Sequence, residues 1–202
     1  GDEESSGSFV EFDGKIIFAA TKYNEEDTVA AVFSADAEGV LTQLTEDISG
    51  GPSFGEWQFT ASAIYFDVEG YDYSTDTYKS DLFRISGDGS VTQVSAAGVV
   101  VDDYIALDGL NAAVFIGQSE GGRHLYRVDA AGTVTDIGET LLQYLDDDFS
   151  LAGASYFKGS EGDGSKLYRL DQDGNFYSRQ CVPNATLNPC IFEFVYLARP
   201  DS

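Results

Sequence analysis

The sequence predicts an all-β chain built from four copies of one unit of about 45 residues, because three anchors keep the same order in every copy. The first anchor is an aromatic residue near the start of a strand, at Phe9, Trp57, Tyr104 and Phe149. The second is a strand ending on phenylalanine, at Phe18, Phe66, Phe115 and Phe157. The third is a strand running into a glycine turn, where Gly39, Gly89, Gly132 and Gly174 follow one another at intervals of 50, 43 and 42 residues. A period in that range belongs to four-stranded blades set around an axis, so the expected architecture is a four-bladed β-propeller.

Each copy is expected to hold four strands, innermost first. First strands are placed near 8–13, 56–61, 102–107 and 147–152, and second strands near 15–21, 63–69, 112–117 and 154–159. Third strands fall near 29–36, 81–86, 124–129 and 166–171, and fourth strands near 40–45, 90–95, 133–137 and 175–180. The turns between third and fourth strands read Asp36-Ala37-Glu38-Gly39, Ser86-Gly87-Asp88-Gly89, Asp129-Ala130-Ala131-Gly132 and Asp171-Gln172-Asp173-Gly174. Asp and Gly at these places are the chemistry of tight hairpins, in which glycine supplies a positive φ without steric cost. Along the third strand, Phe33, Phe83, Tyr126 and Tyr168 share a face with Ala35, Ile85, Val128 and Leu170, which marks that face as buried. The opposite face repeats a base at Arg84, Arg127 and Arg169, with Ser34 in the first copy. Bases are scarce in this chain, so one that recurs is expected to form a structural ion pair with a nearby carboxylate.

The four copies span approximately 8–46, 54–95, 101–138 and 146–180, and residues 8–202 read as one domain. Residues 1–7, acidic and without apolar anchors, read as a flexible tether. Residues 181–198 hold a loop and then the apolar run Ile191–Ala198, expected as a seventeenth strand that closes the ring against an edge. Cys181 and Cys190 bracket the loop. A local disulfide there would contribute about 2–3 kcal/mol in the chain-entropy model, and it implies an oxidising compartment. The alternative is a pair of reduced core cysteines.

Asp and Glu number 35 against 11 Lys and Arg, a net charge of −24. A field of that sign repels phosphate backbones and anionic lipid surfaces, which excludes nucleic acid as a partner class. No run of residues is long and apolar enough to span a membrane, so membrane insertion is not expected. A monomer is.

The segments Leu125-Tyr126-Arg127-Val128-Asp129-Ala130-Ala131-Gly132-Thr133-Val134 and Leu167-Tyr168-Arg169-Leu170-Asp171-Gln172-Asp173-Gly174 resemble blades of secreted bacterial β-propeller repeat proteins, whose units read Leu-Tyr/Trp-x-x-Asp-Gly-Thr. The likeness extends over nearly the whole chain, although the Glu-Leu-Trp form of the motif is absent and the single tryptophan, Trp57, sits on a first strand. Hemopexin-like four-bladed propellers are similar in size and in a disulfide near the closure, without sharing the sequence pattern. The acidic opening resembles the linker that follows the lipidated cysteine of bacterial lipoproteins. These resemblances imply a periplasmic, outer-membrane-anchored or extracellular protein, with a possible lipid anchor upstream. They transfer no catalytic residue.

A search for chemistry finds little of catalytic type. His124, the one histidine, opens a third strand with no Ser- or Cys-centred motif beside it, and it reads as a strand-end residue. Polar residues precede the first anchors: Glu56, Asp103 and Asp148, with Asp102, Asp146 and Asp147 adjacent. Repeat symmetry would gather them at one mouth of a central channel, where Ca²⁺ or Na⁺ would relieve their repulsion; otherwise they splay into solvent. The hairpins between second and third strands are longer in the first two copies. The second copy's carries Tyr71, Asp72, Tyr73, Asp76 and Tyr78, the composition of a surface that recognises sugars or proteins. Cross-strand packing of the tyrosines is the alternative. Trp57 is taken with this ligand-facing set. The reading is a non-enzymatic binding or scaffolding module for a protein or glycan, with no required cofactor. A carbohydrate-active enzyme with carboxylates at the axis is the alternative.

Overall fold

The computed structural model describes residues 9–23, 28–48, 51–72, 76–161, 164–182 and 191–198. It is all-β, with four antiparallel sheets and, among the described residues, a single 3₁₀ turn at Asp108–Leu110. The first sheet runs β1 (Phe9–Phe12), β2 (Lys15–Tyr23), β3 (Thr28–Ala35), β4 (Leu41–Gln43). In the second copy β5 (Ser53–Phe54), β6 (Gln58–Phe59), β7 (Ala63–Asp72), β8 (Thr77–Ser86) and β9 (Val91–Gln93) follow in the chain, and the sheet order is β5-β7-β8-β9. The third sheet is β10 (Val100–Leu107), β11 (Ala112–Ser119), β12 (Gly122–Val128), β13 (Val134–Glu139). The fourth is β14 (Tyr144–Leu151), β15 (Ala154–Glu161), β16 (Gly164–Asp171), β17 (Phe176–Val182), β18 (Ile191–Ala198).

Fifteen of the sixteen expected blade strands thus occur as single strands near their expected places. The exception is the first strand of the second copy, which divides into β5 and β6. Gly55 lies between them and donates its N–H to the Asp67 carbonyl at 3.1 Å; an added Cβ would stand 1.9 Å from Asp67 Oδ1, so the Asp67 side chain fills the space that a larger residue would need. The run Ile191–Ala198 forms β18, and it pairs antiparallel with β17 of its own sheet, Cys181 opposite Phe192 and Val182 opposite Ile191. The Cys181–Cys190 disulfide falls outside the described residues, as does the 1–7 tether.

All four turns between third and fourth strands share one geometry. Gly39, Gly89, Gly132 and Gly174 have φ of 79°, 85°, 87° and 82° and donate their N–H to the carbonyl three residues back. Asp36, Asp129 and Asp171 accept the N–H of the residue after the glycine through Oδ1, at 2.8 Å each. In the second copy Ser86 stands at that place and Asp88 takes over the role. Hydrogen bonds from the Ser86 hydroxyl and the Ser90 backbone hold its carboxyl down to about 2.

The chain falls into two compact units, Gly1–Trp57 with Ala63–Gln93, and Gln58–Ser62 with Val94–Ser202. In the first unit Ile17, Val32, Trp57, Ile64, Phe66 and Ile85 form the core. Rings ladder across the strands: Phe9 on Phe18 and Phe18 on Phe33 in one sheet, Phe54 on Phe66 and Phe66 on Phe83 in the other. In the second unit Val114, Ile116, Leu125, Phe157, Tyr168 and Phe176 are the heart of the core, where Phe157, Tyr168 and Phe176 stack on one another. Residues 63–66 of β7 and 112–116 of β11 are buried at every position, which is why those stretches read as unbroken apolar runs, whereas β2 leaves Ile16 49% exposed.

The first anchors are not equivalent in the fold. Tyr104 is buried, but Phe9 is 72% and Phe149 51% exposed. Bulges account for the fourth copy: the register slips between Val101 and Asp103 in β10, but between Asp146 and Asp148 in β14. Tyr104 therefore lies opposite Phe115, whereas the residue opposite Phe157 is Asp148. Asp147 takes a left-handed φ of 42° at that bulge.

Candidate functional site

β7 and β8 are each ten residues long and pair from Ala63 opposite Ser86 out to Asp72 opposite Thr77. Their inner halves supply Ile64, Tyr65, Phe66, Leu82 and Ile85 to the interior, all at 0% exposure, so the ribbon is rooted in the first unit's core. Its outer half emerges with Tyr71 directly opposite Tyr78. Paired residues share a sheet face, as do residues two apart, so Tyr71, Glu69 and Asp67 line one side with Tyr78 and Ser80. Tyr71 is 38% and Tyr78 50% exposed.

Both hydroxyls are anchored. Tyr71 donates to Asp76 Oδ1 at 2.6 Å, and Asp76 reaches back because it turns the chain with φ 56°. Tyr78 donates to the Glu69 carboxylate. Burial, that hydrogen bond, and the charges of Glu69 and Asp67 push the Tyr78 phenol up to about 12. Two aromatic rings are thereby fixed side by side on an exposed ribbon, with carboxylates at both ends. Tyr73 and the Asp72 side chain, expected in the same surface, lie outside the described residues. Trp57 does not belong to it. Its indole is 8% exposed and stacks on Phe66 at 4.9 Å, an anchor in the core rather than a ligand-facing ring.

The acids expected around a cation are used differently. Asp103 accepts the N–H of Tyr104 through Oδ1 at 2.9 Å and that of Leu145 through Oδ2 at 2.6 Å, tying β10 to β14. Burial raises its carboxyl against those hydrogen bonds, helped by the charges of Asp146 and Asp102. Burial and the charge of Asp108 raise Asp148. Glu56 belongs to the first unit. Among the described residues no three His, Cys, Asp or Glu side chains gather as a metal site. His124 Nδ1 and Asp136 Oδ2 lie 2.8 Å apart, a strand-end contact. In the fourth copy the recurring base forms an ion pair at the limit of distance, where Arg169 Nη2 is 4.0 Å from Asp171 Oδ2 and the guanidinium lies 4.8 Å over the Tyr177 ring.

Sequence reasoning missed a polar trio in the second unit. Glu161 accepts from the Tyr168 hydroxyl at 2.5 Å and from the Lys166 ammonium. Burial opposes its charge, but the two donors and the charge of Lys166 prevail and hold its carboxyl below the usual range, while burial and the Glu161 carboxylate push the Tyr168 phenol up. The available signal was the hairpin itself, which sets Glu161 opposite Gly164, with Lys166 and Tyr168 two and four residues further along β16 and so on the same face.

The fold is similar to that of the β-propeller domain of the trilobed protease from Pyrococcus furiosus, with a TM-score of 0.50 and 14% identity over 82% of this chain. The chain spans about half of that one, 49%. The sheet organisation and this likeness define the class: an all-β chain of propeller type. Short stretches are similar to amidophosphoribosyltransferases. The match to the Haemophilus influenzae enzyme is 70% identical over 30 residues, and that to the Escherichia coli enzyme 49% over 39 residues. These cover 15% and 19% of this chain and 6% and 8% of the enzymes, so the chain spans less than a tenth of the relatives it matches. No protein-family model matches the chain. Among the described residues no helix is long and apolar enough to cross a membrane.

Proposed function

We propose that the four sheets are the four blades of a propeller and that the protein is an exported, non-enzymatic binding module, holding a protein or glycan ligand on the outer half of the β7–β8 ribbon. The observation that carries this reading is the Tyr71–Tyr78 pair, directly opposed, half-exposed and anchored at both hydroxyls. Anchored rings lose little further entropy when a ligand stacks on them, and tyrosine gives much contact area for few rotatable bonds. The surrounding Glu69 and Asp76 carboxylates offer acceptors to sugar hydroxyls or to backbone N–H groups. With a net charge of −24, the ligand is neutral or cationic.

Labelled protein applied to printed glycans and peptides tests this. Wild type is expected to select a restricted set, and the Tyr71→Ala/Tyr78→Ala double variant to lose it while keeping its far-ultraviolet spectrum. Binding that survives the double change refutes the ribbon. Turnover of any selected glycan refutes the non-enzymatic reading.

A further inference from the structure

The second unit holds a cavity of about 350 Å³ that no feature of the ribbon explains. That is the size of a small-molecule site. Its apolar side is made by Leu125, Ile137 and Phe176, all buried core residues. Its polar side is made by Glu139, Thr140 and Glu161.

A bulge opens the space. The β12–β13 register slips between Leu125 and Tyr126, so Leu125 pairs with Gly138 and Tyr126 with Asp136. Asp136 Oδ1 accepts the Gly138 N–H at 2.8 Å and fixes the kink. Gly138 sits at φ 129°, and a Cβ built there would meet nothing within 4 Å. Bulges of this kind re-aim the residues that follow them, here Glu139 and Thr140.

The two carboxylates are in different states. Glu161 is satisfied by Lys166 and Tyr168, so its charge is already compensated. The Glu139 side chain has no hydrogen bond or ion pair among the described residues. One uncompensated anion thus borders an apolar hollow. An anionic ligand would meet Glu139 and the field of the whole chain, and a neutral apolar ligand would strip water from Glu139 without replacing it. A bare metal ion would find too few donors.

We propose that this cavity binds a small organic cation, its ammonium group at Glu139 and its apolar body against Leu125, Ile137 and Phe176. The site lies in the second unit and the ribbon in the first, so the two readings stand or fall separately.

Calorimetric titration of the whole chain at low ionic strength tests this with three matched probes: 2-phenylethylammonium, 2-phenylethanol and phenylacetate. Wild type should bind the ammonium at least tenfold more tightly than the alcohol, and phenylacetate not at all. Glu139→Gln should bring the ammonium to within twofold of the alcohol, whereas Glu38→Gln, which removes the same charge from an exposed turn of the first unit, should change nothing. Leu141 lines the cavity and is 79% exposed, so Leu141→Lys sets a competing ammonium at the mouth without disturbing the core and should weaken the probe at least fivefold. That variant decides the matter if Glu139→Gln fails to fold. The proposal is overturned if no probe binds, if ammonium and alcohol bind alike, or if both Glu139→Gln and Leu141→Lys leave the ammonium affinity unchanged.

Discussion

Asp103 separates two accounts of the acidic residues that precede the first anchors, and replacing it gives opposite results under each. Its carboxylate accepts two backbone N–H groups, from Tyr104 at 2.9 Å and from Leu145 at 2.6 Å, and both residues are buried. In Asp103→Ala both donors lose their acceptor, at a cost of about 1–3 kcal/mol for each group left unpaired in the interior. Against this, the variant removes a carboxylate that burial and the charges of Asp102 and Asp146 disfavour. The net loss should be about 2 kcal/mol, or roughly 4–8 °C in Tm for a chain of this length. Asp103→Asn keeps one acceptor and removes the charge, so its loss should be smaller. The assay is thermal unfolding by circular dichroism, with EDTA and with millimolar Ca²⁺ at fixed ionic strength. The clamp requires the same losses in both. A wild-type Tm that rises by roughly 5–10 °C with Ca²⁺, the size of a linkage term near 2.7 kcal/mol, and a rise that vanishes in Asp103→Asn, would make Asp103 a cation ligand and refute the clamp.

Other outcomes follow from single contacts. Tyr78 should titrate near pH 12 by absorbance at 295 nm, above the ordinary phenol; since its folded pKa is raised, its contribution to stability is present below pH 10 and is lost as pH rises from 10 to 12. Asp148→Asn should raise Tm at neutral pH and have no effect below pH 3, because the raised carboxyl favours folding when protonated and opposes it once ionised. Gly159→Ala should cost about 1–3 kcal/mol in urea unfolding, because its Cβ would stand 2.6 Å from Leu142 Cδ2 and 2.8 Å from Tyr168 Cε2. Gly117→Ala should cost about the same, since it meets Val99 and Tyr126 in the third sheet as Gly159 meets Leu142 and Tyr168 in the fourth.

Features fixed by local chemistry were legible in the sequence. The Asp/Gly turns are one example, since a carboxylate four residues before a backbone N–H and a glycine at positive φ require only neighbours in the chain. The second strands of the second and third copies are another, because residues 63–66 and 112–116 are buried on both faces and are apolar at every position. Equivalence between copies was less legible. A bulge moves register by one residue without altering composition, so aligning Phe149 with Tyr104 by sequence misses that Asp148 takes the paired place in β14. Trp57 reads as an exposed anchor until Phe66 is found stacked beneath it. The cavity was hidden for the same reason as the register: Glu139 and Glu161 come together through the bulge at Gly138, and nothing in their spacing announces it. The Tyr71–Tyr78 pair was visible because one hairpin holds both.

The most direct test of the binding reading is calorimetric titration of the strongest ligand from the printed arrays into wild type, Tyr71→Phe and Tyr71→Ala/Tyr78→Ala. Truncating a true anchor ring costs more than about 1 kcal/mol, so the double variant should lose at least tenfold in Kd. Tyr71→Phe, which keeps the ring but releases it from Asp76, should fall between. Equal affinity in all three proteins would contradict a ligand seated on the tyrosine ribbon.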